Sequence, residues 1–274
     1  MIELIIAFIV ISFFAALYVF LIAPSHDSEK MPTCLLTPYA HRGLHDEDTP
    51  ENSLPAFEKA SERGFGIELD IRLTKDGKVV VFHDDDLKRM CKSNATVADL
   101  TYKELSAFTL GESEEKIPLF EEVLSLIDGK VPLLIELKGT NGDTSLCDRA
   151  FELLDVYGGA FCIESFNPLL IGYVRRKRPE FIRGQLVTLL KKGDVNQPAS
   201  VRFLLSHMLL NVTSRPHFIA FDVKKKPSLG IHIATSFLGA KKFGWTVRSL
   251  SDYKRLSSDG ILSIFENFDP NREE

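Results

Sequence analysis

The first apolar stretch of the chain differs from every later one. Residues 4 to 22 carry no charged side chain. At 1.5 Å per residue, a helix of that length spans the roughly 30 Å hydrocarbon core of a bilayer. Its apolar positions run all round, whereas an amphipathic helix keeps a polar face. The pattern predicts an uncleaved, single-pass membrane anchor over residues 1–24 and a short tether over 25–34. A cleavable signal peptide is the competing reading. It normally has a basic start and a small-x-small cleavage site. Here the only early charged side chain is Glu3, and Ala23-Pro24-Ser25 is a poor site. Few basic residues flank the segment, so the side of the membrane is not specified.

Beyond residue 34 the apolar runs shorten to strand length and alternate with helical patterns. Strand candidates are 35–39, 65–71, 79–82, 132–137, 160–163, 184–189, 218–223, 243–247 and 261–265. Helical spacing marks 52–63, where Leu54, Phe57 and Ala60 share a face, and then 145–156, 168–176, 231–240 and 251–257. The turn Lys75-Asp76-Gly77-Lys78 is too short for a parallel crossover, so 65–71 and 79–82 form a hairpin. Without that return strand, eight strands remain. Their alternation with helices predicts a TIM-type (β/α)8 barrel over residues 35–274. Residues 84–131 read as a small insertion with helices at 97–108 and 119–126. A doubly wound sheet is the alternative, but neither GxGxxG nor GxxxxGK[ST] occurs. The stretch 201–212, rich in Leu, Phe and Met, reads as a barrel helix; lying on a bilayer or over the site is its other reading.

Charged residues interrupt this pattern at strand ends. Glu68 and Asp70 are two apart on a strand and point to one face. Glu136 stands near the end of another strand, so three carboxylates converge at a barrel mouth. Like charges there need a positive partner, and a hard divalent ion on oxygen ligands is the simplest one. Mg2+ is preferred over Ca2+ on its abundance inside cells. A salt-bridge network with Arg42, Arg72 and Lys138 is the rival explanation of Glu68 and Asp70. Pairing outward from the turn brings His83 back near Asp70. His41 and His83 can exchange protons near neutral pH, one activating a nucleophile and the other protonating a leaving oxygen. Arg42 presents a fork suited to phosphate oxygens. Lys138 shares the face of Glu136 and can offset charge on a pentavalent phosphate. Glu51 and Asn52 read equally well as a helix start. Trp245, the single tryptophan, walls the site or packs the core. This set suits phosphodiester cleavage at one divalent metal.

Composition adds two constraints. A formal net charge of -5 argues against nucleic acid as a partner. The local basic clusters Lys224-Lys225-Lys226 and Arg175-Arg176-Lys177-Arg178 read as solvated ends, with anionic lipid or substrate as alternative contacts. Cys34, Cys91, Cys147 and Cys162 lack metal-like spacing and read as free thiols.

The motifs His41-Arg42-Gly43, Glu51-Asn52, Glu68-Leu69-Asp70, Thr74-Lys75-Asp76-Gly77, Val81-Phe82-His83-Asp84 and Ile135-Glu136-Leu137-Lys138 resemble, in order and spacing, the glycerophosphodiester phosphodiesterase family. Ser165-Phe166 and Trp245-Thr246-Val247 extend the likeness. The resemblance implies a TIM-type barrel with an insertion after His83. It implies metal ligands at Glu68, Asp70 and Glu136, acid and base at His41 and His83, and substrate contacts from Arg42, Lys138, Glu51, Asn52 and Trp245. The implied activity is hydrolysis of glycerophosphodiesters to sn-glycerol 3-phosphate and an alcohol. Arg248 stands where the family usually has asparagine, and the closing strand also departs from its usual pattern, which leaves the head group open. The anchor raises a second substrate class, membrane lysophospholipids. A membrane-tethered binding module on an inactive fold is the third reading.

Overall fold

The computed structural model describes residues 1–139, 142–193 and 197–272. Helix α1 (Ile2–Ile22) leads into β1 (Tyr39–Ala40), α2 (Leu54–Glu62), β2 (Gly66–Leu73) and β3 (Val79–Val81). An insertion with α3 (Lys88–Cys91), α4 (Tyr102–Leu105) and α5 (Phe120–Ile127) precedes β4 (Leu133–Leu137). Then come α6 (Ser145–Leu154), β5 (Phe161–Ser165), α7 (Pro168–Lys177), β6 (Arg183–Val187), α8 (Ala199–Ser206) and α9 (Asn211–Ser214). The chain ends with β7 (Phe218–Asp222), α10 (Leu229–His232), β8 (Lys241–Val247), α11 (Leu250–Ser258) and β9 (Leu262–Phe265). Strands β1, β2, β4, β5, β6, β7, β8 and β9 are parallel neighbours, and β1 pairs with both β2 and β9, which closes a TIM-type barrel. Strand β3 hangs from β2 as the expected antiparallel return, with Ile71 opposite Val81.

One apolar cluster fills the barrel interior towards the N-terminal ends of the strands, from Tyr39, Leu134 and Cys162 to Phe218 and Phe243. A larger one lies between the strands and helices α2, α5, α6 and α7. Close packing explains two glycines. A Cβ on Gly184 would meet the Phe218 ring at 2.0 Å, and one on Gly66 would meet Tyr39 at 2.6 Å. The insertion has its own small core of Val80, Phe82, Leu87, Val97, Leu105, Leu110 and Ile117.

Several boundaries differ from the sequence pattern for identifiable reasons. The first strand is only Tyr39–Ala40. Leu35 closes a 3-10 turn and is spent plugging the bottom of the barrel with Met31. The predicted 97–108 helix is broken into a 3-10 turn (Val97–Asp99) and α4, because Thr101 is extended and caps α4 in a reciprocal bond with Glu104. Stretch 201–212 falls in the helix layer as parts of α8 and α9. Residues 25–34, expected as a tether, lie on the barrel instead of hanging free: Ser25, Ser28 and Met31 are buried, and Ser25 N–H donates to Pro216 O at 2.8 Å. The four cysteines are unpaired, with Cys147 and Cys162 buried.

Candidate active site

Period-two alternation delivers the acids. Glu68 and Asp70 on β2 and Glu136 on β4 are buried, and Asp70 lies opposite Glu136 in register. One oxygen of each lies within 4.8 Å of the others. Lys138 reaches into the same space, its Nζ 2.7 Å from Glu136 Oε1 and 3.1 Å from Asp70 Oδ1. The chain turns sharply after β1, where Arg42 and Gly43 take φ of 56° and 81°. A Cβ on Gly43 would stand 2.8 Å from the Ala56 backbone, so only glycine fits this approach. The turn aims the Arg42 N–H at Glu68 Oε2 (2.8 Å) and its guanidinium at Glu51 Oε1 (2.8 Å), with Asp70 at 3.5 Å. Asn52 also has positive φ, 56°, and its amide donates to Asp70 Oδ2 at 2.8 Å. The helix start belongs to Ser53, which accepts from the Ala56 N–H. Asn52 is thus held against a carboxylate.

Each histidine has a carboxylate on Nδ1. His41 Nδ1 bonds Glu266 Oε2, and His83 Nδ1 bonds Asp84 Oδ1 at 2.6 Å. With Nδ1 carrying the proton, Nε2 is free to accept one. His41 Nε2 lies 3.9 Å from Glu68 Oε2. Burial lowers the pKa of both rings. Glu266 opposes this for His41; for His83, Asp70 opposes it while Lys138 and Arg42 add to it. Both rings are therefore poised to be neutral near neutral pH.

The carboxylates divide sharply. Burial raises Glu68 well above the carboxylate range, and Asp70, Glu136 and Glu164 push it further. Burial also raises Glu136, to about 7, with Lys138 opposing. Asp70 is buried too, yet Lys138, His83, Arg42 and the Asn52 hydrogen bond outweigh burial and hold it below its usual range. Burial disfavours the Lys138 ammonium, but Asp70 and Glu136 more than compensate, and its pKa rises. Lys138 and Arg42 are the cations that offset the carboxylates of this pocket. A divalent cation would do the same with full coordination, and an all-oxygen donor set of three buried carboxylates fits a hard ion.

Three contributors escaped the sequence reading. Glu266, just past β9, binds His41 and also pairs with Arg248 (Nε to Oε1, 2.6 Å). Its signal was an acid at the end of the last strand. Arg89 of the insertion ties Glu51 (2.6 Å) to Asp84 (2.7 Å), and nothing in its local sequence marks it. Glu164 stands opposite Glu136 in register, and its buried Oε2 has no partner among the described residues. His41, His45 and Glu266 form a second group close enough to share an ion. Arg248 already supplies a cation there. Trp245 is half-buried at the mouth, edge-on to Phe166 at 5.5 Å.

The cluster lies at the C-terminal ends of the barrel strands, the face at which TIM-barrel active sites sit. Residues 41–268 match the model of the glycerophosphoryl diester phosphodiesterase family, and the chain belongs to that family. It is 43% identical over 243 residues to YqiK of Bacillus subtilis, covering 84% of this chain and 94% of that one. It is 31% identical over 237 residues to a glycerophosphodiester phosphodiesterase of Caldanaerobacter subterraneus, covering 82% and 91%. A human lysophospholipase D, GDPD1, is 34% identical over 132 residues, covering 43% and 40%. In fold, an Oleispira antarctica phosphodiesterase solved with sn-glycerol-3-phosphate aligns at a TM-score of 0.69 with 23% identity, covering 84% and 92%. Hydrolysis of glycerophosphodiesters is the activity of the family, and the chain is a glycerophosphodiester phosphodiesterase.

Proposed function

We propose that the chain cleaves glycerophosphodiesters to sn-glycerol 3-phosphate and an alcohol, with one divalent ion held by Glu68, Asp70 and Glu136. The observation that carries this reading is the convergence of those acids, two cations and two carboxylate-backed histidines within one mouth. The ion, Mg2+ before Ca2+, would supply Lewis-acid polarisation of a phosphate oxygen. Arg42 binds the remaining phosphate oxygens, and Lys138 moves from its carboxylate partners to the developing charge. His41 Nε2 and His83 Nε2 act as the proton acceptor and donor. Glu266 and Asp84 hold the ring tautomers. Asn52 positions Asp70, and Glu51 positions Arg42. Trp245 walls the mouth on the side of β8. His41→Ala should lower glycerol 3-phosphate release from glycerophosphocholine by roughly 10²–10⁴-fold. Activity equal to wild type would reject the assignment. EDTA-stripped enzyme should recover with Mg2+, and recovery with Ca2+ alone would reverse the choice of ion.

Helix α1 serves as a membrane span. Its 21 residues have a mean hydropathy of 2.9 over the best window, and they are almost wholly exposed up to Leu17. Resistance of the full chain to carbonate extraction tests this; release by carbonate would refute it. A second substrate class, lysophospholipids, is favoured by an apolar cavity that opens beside Trp245.

A further inference from the structure

The cavity beside the mouth has a volume of about 410 Å³. At its inner end stand Trp245 and Asp222, at the C-terminal ends of β8 and β7, with Phe166 just past β5. From there it runs outward over β6 to Leu204, Leu205 and Met208 in the helix layer. Leu204, Leu205 and Phe166 belong to none of the buried apolar clusters, so their apolar surface is uncommitted. Two buried polar atoms in its lining, Trp245 Nε1 and Gln185 Oε1, have no partner among the described residues. An apolar pocket with a few unmet polar atoms next to the reacting groups is the form of a small-molecule site.

The path of α1 identifies what fills it. The C-terminal end of α1 is fixed at the bottom of the barrel. Ser25 bonds Pro216 just before β7, and the Arg215 guanidinium donates to Phe20 O (2.8 Å) and Ala23 O (2.9 Å). Seven residues earlier, the Tyr18 hydroxyl packs on Gly230, in the helix that follows β7. The helix therefore climbs the outside of the barrel from the bottom towards the mouth. At 1.5 Å per residue, residues 2–17 extend roughly 24 Å further in that direction. A bilayer holding α1 lies on the mouth side. Leu169, Leu189 and Leu229, each exposed and each following the end of β5, β6 or β7, lie at this same end of the barrel, as do exposed Lys224 and Lys226. Met208 both lines the cavity and packs in the cluster that holds Ile22.

We infer that this cavity is an acyl-chain site, and that it admits the single chain of a lysophospholipid drawn from the bilayer that holds α1. This rests on the phosphodiesterase reading above. Water adds across the phosphorus–oxygen bond to the head group: the phosphorus gains hydroxyl, and the departing alcohol oxygen gains the proton. Lysophosphatidylcholine gives lysophosphatidate and choline.

The test uses the full chain in nanodiscs. kcat/KM is measured for lysophosphatidylcholines of increasing acyl length and for glycerophosphocholine. Burial of each methylene is expected to raise kcat/KM roughly two- to fourfold until the cavity is full. Leu205→Glu should abolish that increment, Leu205→Met should keep it, and both should cleave glycerophosphocholine within about twofold of wild type. Trp245 is the only tryptophan, so its fluorescence reports occupancy independently of turnover. A lysophosphatidylcholine brominated along its chain should quench it in wild type and in Leu205→Met but not in Leu205→Glu. A flat chain-length series with intact glycerophosphocholine activity overturns the acyl site alone, as does quenching that ignores Leu205→Glu. Loss of cleavage of both substrates by the wild type overturns the underlying activity. If Leu205→Glu fails to fold, its glycerophosphocholine activity vanishes too. The chain-length series and the quenching of the wild type then decide.

Discussion

Replacing Lys138 by methionine tests how the acidic pocket is neutralised. Lys138 is nearly buried, with Nζ between Asp70 and Glu136, and Glu68 also acts on it. Methionine keeps most of the stem and deletes the charge. Removing one partner of a buried ion pair typically costs about 3–5 kcal/mol, because the other charge is left without compensation. At roughly 2–4 °C per kcal/mol for a chain of this size, Tm should fall by roughly 6–20 °C in EDTA. A bound divalent ion supplies the missing charge, so the loss should be much smaller in Mg2+. The pH dependence follows from the carboxylates. The raised pKa of Lys138 keeps it charged across the neutral range, so its stabilisation is lost only well above pH 10.5. Glu136 is raised from 4.5 to about 7. Its contribution to stability is present below 4.5 and is lost as pH rises through about 7. The variant should therefore suffer most near pH 8 and least near about pH 5.5, where Glu136 carries its proton. Differential scanning fluorimetry in detergent, with EDTA or Mg2+ at both pH values, measures all four conditions. Equal losses with and without Mg2+, or a larger loss at the lower pH, would refute the reasoning.

Glu266→Gln removes the charge that supports a protonated His41. kcat should fall roughly 10–150-fold, the worth of about 1.5–3 kcal/mol for a hydrogen bond to a charged group, and the acid limb of the pH–rate profile should move to lower pH; an unmoved limb would separate Glu266 from the reaction. Metal affinity should weaken as pH drops through about 7, where Glu136 takes up a proton; calorimetry in buffers of different ionisation enthalpy should show proton release on binding. Deleting residues 1–16 should leave a folded barrel, whereas deleting 1–30 removes buried Ile22, Ser25 and Ser28 and should lower Tm measurably, at about 1.5–3 kcal/mol for Ile22 alone; equal melting points would show that this segment is a free tether. Gly184→Ala forces a Cβ into the Phe218 ring and should destabilise the barrel by about 1–3 kcal/mol in chemical denaturation.

What was legible in the sequence is local. Apolar periodicity marked the strands, and i, i+2 spacing put Glu68 beside Asp70 on one face. A four-residue turn was enough to return His83 to Asp70, and Phe82 N–H donates to Asp70 O at 2.9 Å as hairpin pairing demands. The charge-free window over residues 4–22 needed only composition. Other features depend on closure of the barrel. Glu266 reaches His41 across 225 positions because β9 pairs with β1, and no local pattern encodes which strand closes the ring. Asn52 reads equally well as part of a helix start, and only the left-handed turn at the mouth sends its amide to Asp70. The direction of α1 was decided by Arg215, Asn211 and Gly230, which are distant in sequence and meet it only once the helix layer has formed. The cavity is likewise space left between β6 and α8, and such space exists only after packing. Sequence spacing specifies which face a side chain takes; long-range contacts specify what that face meets.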